Sequence, residues 1–280
     1  MFLRSHILLS CPKASSLRIA RNFLFILLFL FSACVADQAN PFAGQGGLPI
    51  DWPSTDPNRY HWDGLADPYF EGWFFRVIAP DGEAFAFCYG VRDPGAVEPS
   101  DGEAFLFALG SGGRLAQATF PLDRFTASNQ DLDVYVDGNH ATIDHIDGSL
   151  PAGDGGVHWN LSIELEEAWT DTMGVLTNIP LAPINWYVGI LRGHATGSVT
   201  WGGETVAFEN APIYQDKNWG EAFPSAYVWL QASDFPNPGD AFAFAGGLVG
   251  GAAPAGMFVW RDGATRYEAR SQDLNTAVQI

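Results

Sequence analysis

The stretch Trp73-Phe-Phe-Arg-Val-Ile-Ala79, Pro80, Asp81-Gly82, Glu83-Ala-Phe-Ala-Phe-Cys-Tyr-Gly-Val91 decides the fold. Two runs rich in aromatic and β-branched residues flank an Asp-Gly pair. Both residues of that pair tolerate positive φ, which makes it a strong hairpin signal. Segments 73–79 and 83–91 are therefore expected to pair antiparallel. Side chains alternate between the faces of a strand. Phe85, Phe87 and Tyr89 should then share one face, and Ala84, Ala86 and Cys88 the other.

The same pattern extends along the chain. Asp-Gly pairs recur at 101, 137, 147 and 262 between apolar or alternating runs. Further strands are expected at 132–136, 141–146, 157–165, 197–201, 205–208, 227–232, 242–248 and 257–261. Gly82-Glu-Ala-Phe-Ala-Phe87, Gly102-Glu-Ala-Phe-Leu-Phe107 and Gly239-Asp-Ala-Phe-Ala-Phe244 echo one another, as similar strand chemistry rather than a repeat. No window of helical length carries a helical period. Segment 169–188, with Pro180 and Pro183, reads as a long irregular connection of the kind that often covers a site. The class is all-β, an antiparallel barrel or sandwich.

Composition agrees. Of 280 residues, 47% are hydrophobic and only 16% charged, so a sizeable core is available. The formal net charge is -18, and the first 36 residues contribute only bases: Arg4, Lys13, Arg18 and Arg21. The acidic remainder repels nucleic acid and anionic headgroups, so no nucleic-acid partner is expected. Cys11 and Cys34 fall in the leader and Cys88 stands alone in the body, so there is no disulfide framework. There is no Cys-x-x-Cys pair, no His-Glu-x-x-His and no Gly-rich phosphate loop, and no metal site is expected.

Residues 1–36 read as a signal or lipoprotein leader. A basic segment precedes the apolar run Phe23 to Phe31, and small residues follow. Phe31-Ser-Ala-Cys34 loosely matches a lipoprotein cleavage box, which makes Cys34 a candidate lipidation site. Export or tethering to a membrane, through the leader or a lipid, is one expectation. Organelle targeting is the alternative, given the Arg and Ser content and the lack of acids. Residues 37–57 read as a linker and 58–280 as one β domain.

Two motifs carry ionisable groups inside aromatic runs: Asp67-Pro-Tyr-Phe-Glu-Gly-Trp-Phe-Phe-Arg76 and Ala211-Pro-Ile-Tyr-Gln-Asp-Lys-Asn-Trp-Gly-Glu-Ala-Phe-Pro224. A charge in such surroundings is costly unless it is paired or its pKa moves. The first motif with Phe87-Cys-Tyr-Gly-Val-Arg-Asp-Pro94 resembles the F-E-G-W-Y-F-R-V … F-M-Y-S-V-x-x-P signature of the tocopherol cyclases. The second is similar to their A-P-x-Y-x-x-K-N-W-G-x-x-F-P signature. Tyr60-His-Trp-Asp63 and Gly197-Ser-Val-Thr-Trp-Gly-Gly-Glu204 are similar too, and the order matches.

The resemblance implies a lipocalin-like β fold with an apolar interior cavity. It also implies acid-catalysed closure of a prenylated hydroquinone to a chromanol, with no cofactor. Tocopherol cyclases continue with a further β-rich portion past the segment matching 257–267, so this chain is expected to be either a truncated form or a short variant with an incomplete barrel wall. The implied partner is an apolar prenylated small molecule. The competing readings are a non-catalytic terpenoid or lipid carrier, and a hydratase in which water captures the same cation.

The reaction needs an acid in a dry pocket. Glu71 and Asp216 are the candidates, because a carboxyl in an apolar site keeps its proton to higher pH. Glu71 could instead pair with Arg76 or Lys217, and Asp216 could cap a turn. His61 is a candidate base for the phenolic proton, or a hydrogen-bonded structural histidine. Trp73, Tyr89, Trp219 and Trp229 could line the site and stabilise a cation. Tyr214, Lys217 and Asn218 could bind the hydroquinone head.

Overall fold

The computed structural model describes residues 56–98, 101–153, 155–174, 183–237, 239–249 and 253–273. The leader, Cys34 and residues 37–55 lie outside the described residues. Fifteen strands follow in order: β1 (Phe70–Ile78), β2 (Ala84–Arg92), β3 (Glu103–Gly110), β4 (Arg114–Phe120), β5 (Phe125–Ala127), β6 (Asp133–Val136), β7 (Asn139–Thr142), β8 (His145–Leu150), β9 (Val157–Trp169), β10 (Ile184–Trp201), β11 (Glu204–Gly220), β12 (Tyr227–Ala232), β13 (Ala241–Val249), β14 (Ala253–Asp262) and β15 (Thr265–Arg270). All pairings are antiparallel, as expected from the all-β reading.

An eleven-stranded sheet runs β4-β3-β2-β1-β11-β10-β9-β8-β7-β6-β5, and a four-stranded sheet runs β12-β13-β14-β15. The edge strands of the large sheet, β4 and β5, are consecutive in the chain, so the sheet rolls toward closure. Its far strands meet across the interior: Tyr89 on β2 donates from its hydroxyl to the Asp147 carbonyl on β8 at 2.8 Å, and Phe87 stacks on Trp159 of β9. Register shifts along β10, at Val188/Ile190, Ile190/His194 and Ala195/Gly197, supply the bends that a rolled sheet needs.

The Asp81-Gly82 hairpin forms as expected, with Gly82 at φ 86° and Phe75 opposite Phe87. Asp137 and Gly138, at φ 49° and 84°, join β6 to β7, and Asp262-Gly263 joins β14 to β15. Two Asp-Gly pairs do something else. Asp101-Gly102 leads into β3, and Asp147-Gly148 lies within β8. Gly148 serves close packing: a Cβ there would come within 2.3 Å of the Trp159 ring. Segment 169–188 is also less irregular than expected, since β9 reaches Trp169 and β10 starts at Ile184.

The alternation expected for β2 holds. Phe85, Phe87 and Tyr89 face the interior of the large sheet with Trp73, Phe75 and Val77 of β1 and Ile213 of β11. Burying such a side chain stabilises by about 1.5–3 kcal/mol. The interior expected to hold an apolar cavity is here packed by rings: Phe75 meets Tyr89 edge-on, and Tyr89 meets Trp159. The outer face of β1, β10 and β11 packs against the small sheet instead. Trp169, Met173, Trp186, Val188, Leu191 and Tyr214 join Ala241, Ala243 and Val259 there, with Phe74 and Trp229 alongside. Strands β1, β10 and β11 are thus the wall shared by a barrel-like roll and a sandwich.

Candidate active site

Neighbouring residues of a strand point to opposite faces. Asp216 and Lys217 are neighbours in β11, so the second motif supplies one charged group to each side of the shared wall. Directly opposed residues share a face. Phe74 lies opposite Asp216, and Trp73 opposite Lys217. Glu71, two residues before Trp73, therefore belongs with Lys217, on the opposite side from Asp216.

On the inner side, Glu71 and Lys217 are both fully buried and meet at 2.5 Å. The Glu71 carboxylate also accepts from the Tyr69 hydroxyl at 2.5 Å and from the His61 backbone N–H at 3.0 and 3.1 Å. Lys217 Nζ donates to the carbonyls of Asn58 (3.2 Å) and Arg59, and lies 2.9 Å from His61 Nδ1. The rings of Trp73 and Trp219 flank the ammonium at 4.6 and 5.0 Å. Trp73 Nε1 donates to the Asn58 carbonyl, and Asn58 and Gln215 exchange amide hydrogen bonds. That exchange needs Gly189, where a Cβ would sit 2.1 Å from Gln215 Oε1. The network fastens segment 56–62 across the wall.

Its electrostatics settle the state of each group. Burial pushes the Glu71 carboxyl up, but the Lys217 ammonium and the contacts from His61 outweigh it and hold the group below the usual range. Burial pulls Lys217 down to about 8, against the attraction of Glu71, and it stays charged at neutral pH. His61, stacked on Trp219 at 4.0 Å, is lowered to about 4 by burial and then by Lys217. Glu71 is thus an ion-paired carboxylate rather than a proton-holding acid.

On the outer side, Asp216 is buried without a cation. Its Oδ2 accepts three hydrogen bonds, from Trp186 Nε1 (2.8 Å), Trp229 Nε1 (2.8 Å) and the Tyr214 hydroxyl (3.0 Å). Among the described residues no donor reaches Oδ1. Burial raises the carboxyl to about 6, opposed by the Trp186, Trp229 and Tyr214 donors. Phe74 meets Trp229 edge-on at 5.4 Å, and Trp169 meets Trp186 at 5.7 Å. The arrangement is a carboxyl with one solvated-like oxygen, one unengaged oxygen and aromatic walls. It can carry a proton on Oδ1 up to about pH 6.

The expected site residues therefore divide. Asp216, Tyr214, Trp229 and Asn218 share the outer face. Glu71, Lys217, His61, Trp73 and Trp219 form the inner network. Tyr89 lies in the packed interior, where its hydroxyl accepts from Trp159 Nε1 at 2.7 Å. His61 is separated from Asp216 by the sheet, so the two cannot act as acid and base on one ring. Trp186 is the residue that sequence reading missed. Its signal was the run Ile184-Asn-Trp-Tyr-Val188, hidden by the prolines before it. Trp229→Phe removes one donor to Asp216, and the carboxyl pKa is expected to rise above about 6. A carboxyl-carbon NMR titration measures this, and an unchanged midpoint would contradict the assignment.

Comparisons with known proteins bear on this geometry. A family model described as tocopherol cyclase-like matches residues 137–269, which include the second motif. The chloroplastic tocopherol cyclase of Zea mays is 27% identical over 265 aligned residues, covering 73% of this chain and 56% of that protein. The "Probable tocopherol cyclase, chloroplastic" of Oryza sativa subsp. japonica is 28% identical over 254, covering 69% and 53%. The chain spans about half the length of these relatives. A crystal structure of a protein assigned as AttH from Nitrosomonas europaea shares the fold, with a TM-score of 0.53 at 13% identity over 81% of this chain and 74% of that one. Motifs, matched region and relatives agree: over residues 137–269 the chain is similar to tocopherol cyclase-like proteins.

Proposed function

We propose that this chain closes a prenylated hydroquinone to a chromanol, with Asp216 as the acid. The observation that carries the reading is the buried Asp216 carboxyl, bound by three donors on Oδ2 and by none on Oδ1. Oδ1–H donates its proton to the less substituted carbon of the first side-chain double bond. A tertiary cation forms, and the carboxylate left behind is already held by two indoles and a phenol. The phenolic oxygen of the substrate attacks the cation and closes the ring. Its proton returns to Asp216, so atoms balance and the net change is an isomerisation. In this reading the aromatic rings of Trp186, Trp229 and Phe74 stabilise the cation, each by about 0.5–2 kcal/mol. Asn218, two residues along the same face, in this reading holds the hydroquinone oxygen.

Incubating the protein anaerobically with a phytylated dimethylhydroquinone, followed by mass-resolved chromatography, tests this reading. Chromanol is the expected product. A tertiary alcohol would instead indicate a hydratase, and tight binding with no product would indicate a carrier.

Both relatives carry chloroplastic names, which supports the organelle-targeted reading of the leader. Nothing in the comparisons supports export or a lipid on Cys34. Among the described residues no helix is long and apolar enough to cross a membrane.

A further inference from the structure

The last strand of the small sheet carries charged groups that the proposed reaction does not use. Glu268 and Arg270 of β15 stand opposite Val259 and Met257 of β14. Val259 and Met257 pack into the layer against the shared wall, so the two charged side chains face that layer as well. Glu268 Oε2 accepts from the Trp169 indole N–H at 2.6 Å, and from the Arg270 and Arg266 guanidiniums at 3.0 and 3.2 Å. The Arg270 guanidinium lies over the Trp169 ring, 5.2 Å from its centre. Trp169 is fully buried and meets Trp186 edge-on at 5.7 Å. Trp186 Nε1 in turn donates to Asp216 Oδ2 at 2.8 Å. A continuous chain of contacts thus joins the β15 carboxylate to Asp216.

A second route reaches the same indole through the backbone. Arg270, itself buried, donates from Nε and Nη2 to the Asp171 and Thr172 carbonyls at 2.8 to 3.1 Å. Gln272 donates to the Met173 carbonyl at 2.7 Å. These bonds fix the turn that follows β9, and the turn fixes the start of β10. The Trp186 backbone N–H donates to Met173 Sδ, and that of Val188 to Thr172 Oγ1, both at 3.0 Å. An indole serves Oδ2 only while its ring keeps one orientation. Burial raises the Glu268 carboxyl, but Arg266, Trp169 and Arg270 outweigh it and hold the group below the usual range. Trp169 is therefore anchored by a charge-assisted hydrogen bond, about twice as strong as a neutral one.

We infer that Glu268 and Arg270 are positioning residues for Asp216, holding its Trp186 donor in place through Trp169 and the turn after β9. The effect on turnover rests on the reading of Asp216 as the acid; the effect on the carboxyl itself does not. Burial and the donors Trp186, Trp229 and Tyr214 set the titration of Asp216. Cys88 of β2 and Arg76 of β1 share its face of the wall, and Arg261 and Arg266 of the small sheet are paired with Glu167 of β9.

A carboxyl-carbon NMR titration of Asp216 in the full chain, for wild type, Glu268→Ala and Glu268→Gln, tests the inference. The Glu268 side chain is 33% exposed, so both variants are expected to fold, and a melting transition checks this. Glu268→Ala frees the Trp169 ring and loosens the Trp186 donor, and the Asp216 midpoint is expected to rise by about half a unit or more. Glu268→Gln keeps a carbonyl for the indole and should restore the wild-type midpoint. The sign separates positioning from charge, because deleting a negative charge by itself lowers the midpoint of a nearby carboxyl, and does so in both variants. Arg270→Lys keeps the charge but loses the fork that holds the two carbonyls, and is expected to raise the midpoint too; should it fail to fold, the Glu268 variants decide. A midpoint unchanged or lowered in Glu268→Ala, or raised equally by Glu268→Gln, overturns the inference. Turnover separates it from the cyclase reading. In Glu268→Ala, kcat for chromanol is expected to fall about tenfold with KM unchanged, and the alkaline limb of the pH profile to move up with the midpoint. A raised midpoint with no chromanol from wild type overturns the cyclase reading and leaves the positioning. Chromanol from wild type with an unmoved midpoint in Glu268→Ala overturns the positioning alone.

Discussion

Asp216→Asn is expected to lower chromanol formation by about 100- to 10,000-fold, the usual contribution of a positioned general acid, and to stabilise the fold at neutral pH. The amide keeps a carbonyl oxygen for the Trp186, Trp229 and Tyr214 donors, and its NH₂ takes the place of Oδ1, where no donor competes. Geometry is thus preserved while the transferable proton is lost. The stability effect follows from the raised carboxyl. Its pKa moves from 3.8 to about 6 on folding, so the folded state holds the proton more tightly than the unfolded chain does. Stability from this group is complete below 3.8 and is lost as pH rises through about 6, by roughly 3 kcal/mol at about 1.4 kcal/mol per unit. Asn carries no such cost. Melting temperatures of the two proteins should converge near pH 4 and separate above pH 6, with the variant higher. Wild-type turnover should fall on the alkaline side of about pH 6, as the proton leaves Asp216. A variant that is both fully active and no more stable would remove Asp216 from the mechanism.

Lys217→Met should have the largest effect on folding. It leaves the Glu71 carboxylate buried with only the Tyr69 hydroxyl and the contacts from His61, and it takes the ammonium from the Arg59 carbonyl and from the Asn58 carbonyl, which keeps its Trp73 Nε1 donor. Removing one partner of a buried pair costs about 3–5 kcal/mol. Glu71→Gln alone should be damaging for the same reason, because the ammonium is then uncompensated. The double variant Glu71→Gln/Lys217→Met removes both charges and should recover much of the loss. Denaturant titrations of the four proteins measure the coupling between the two groups. A cycle with additive losses would show that the pair does not hold segment 56–62 in place. This expectation differs from the one that the sequence invites, in which Glu71 is dispensable for folding and needed for turnover.

The difference shows what a sequence can and cannot reveal here. The hairpin around Asp81-Gly82 was legible because its signals are local: turn chemistry and alternation within one window. The opposite facing of Asp216 and Lys217 was not read, because no strand was expected between 208 and 227, whereas β11 runs on from Glu204 to Gly220. The pairing of Glu71 with Lys217 was open only as one of two possible partners, because it depends on the register between β1 and β11, which are far apart in the chain. Strand alternation places Arg76 on the same face as Asp216 and so excludes it as a partner of Glu71 once that register is known. Trp186 was missed because Pro180 and Pro183 mask the start of β10. Asp147-Gly148 misled for another reason. Its glycine answers to Trp159 lying against it, a long-range constraint that mimics a turn signal.

The central claim is that Asp216 delivers a solvent-exchangeable proton to carbon. The most direct measurement runs the reaction in D₂O with wild type and Asp216→Asn, and locates deuterium in the chromanol by mass spectrometry and NMR. The account predicts one non-exchangeable deuterium, on the ring carbon adjacent to the benzylic position, from wild type, and almost no product from the variant. Chromanol without that deuterium, or formed equally well by Asp216→Asn, would contradict it.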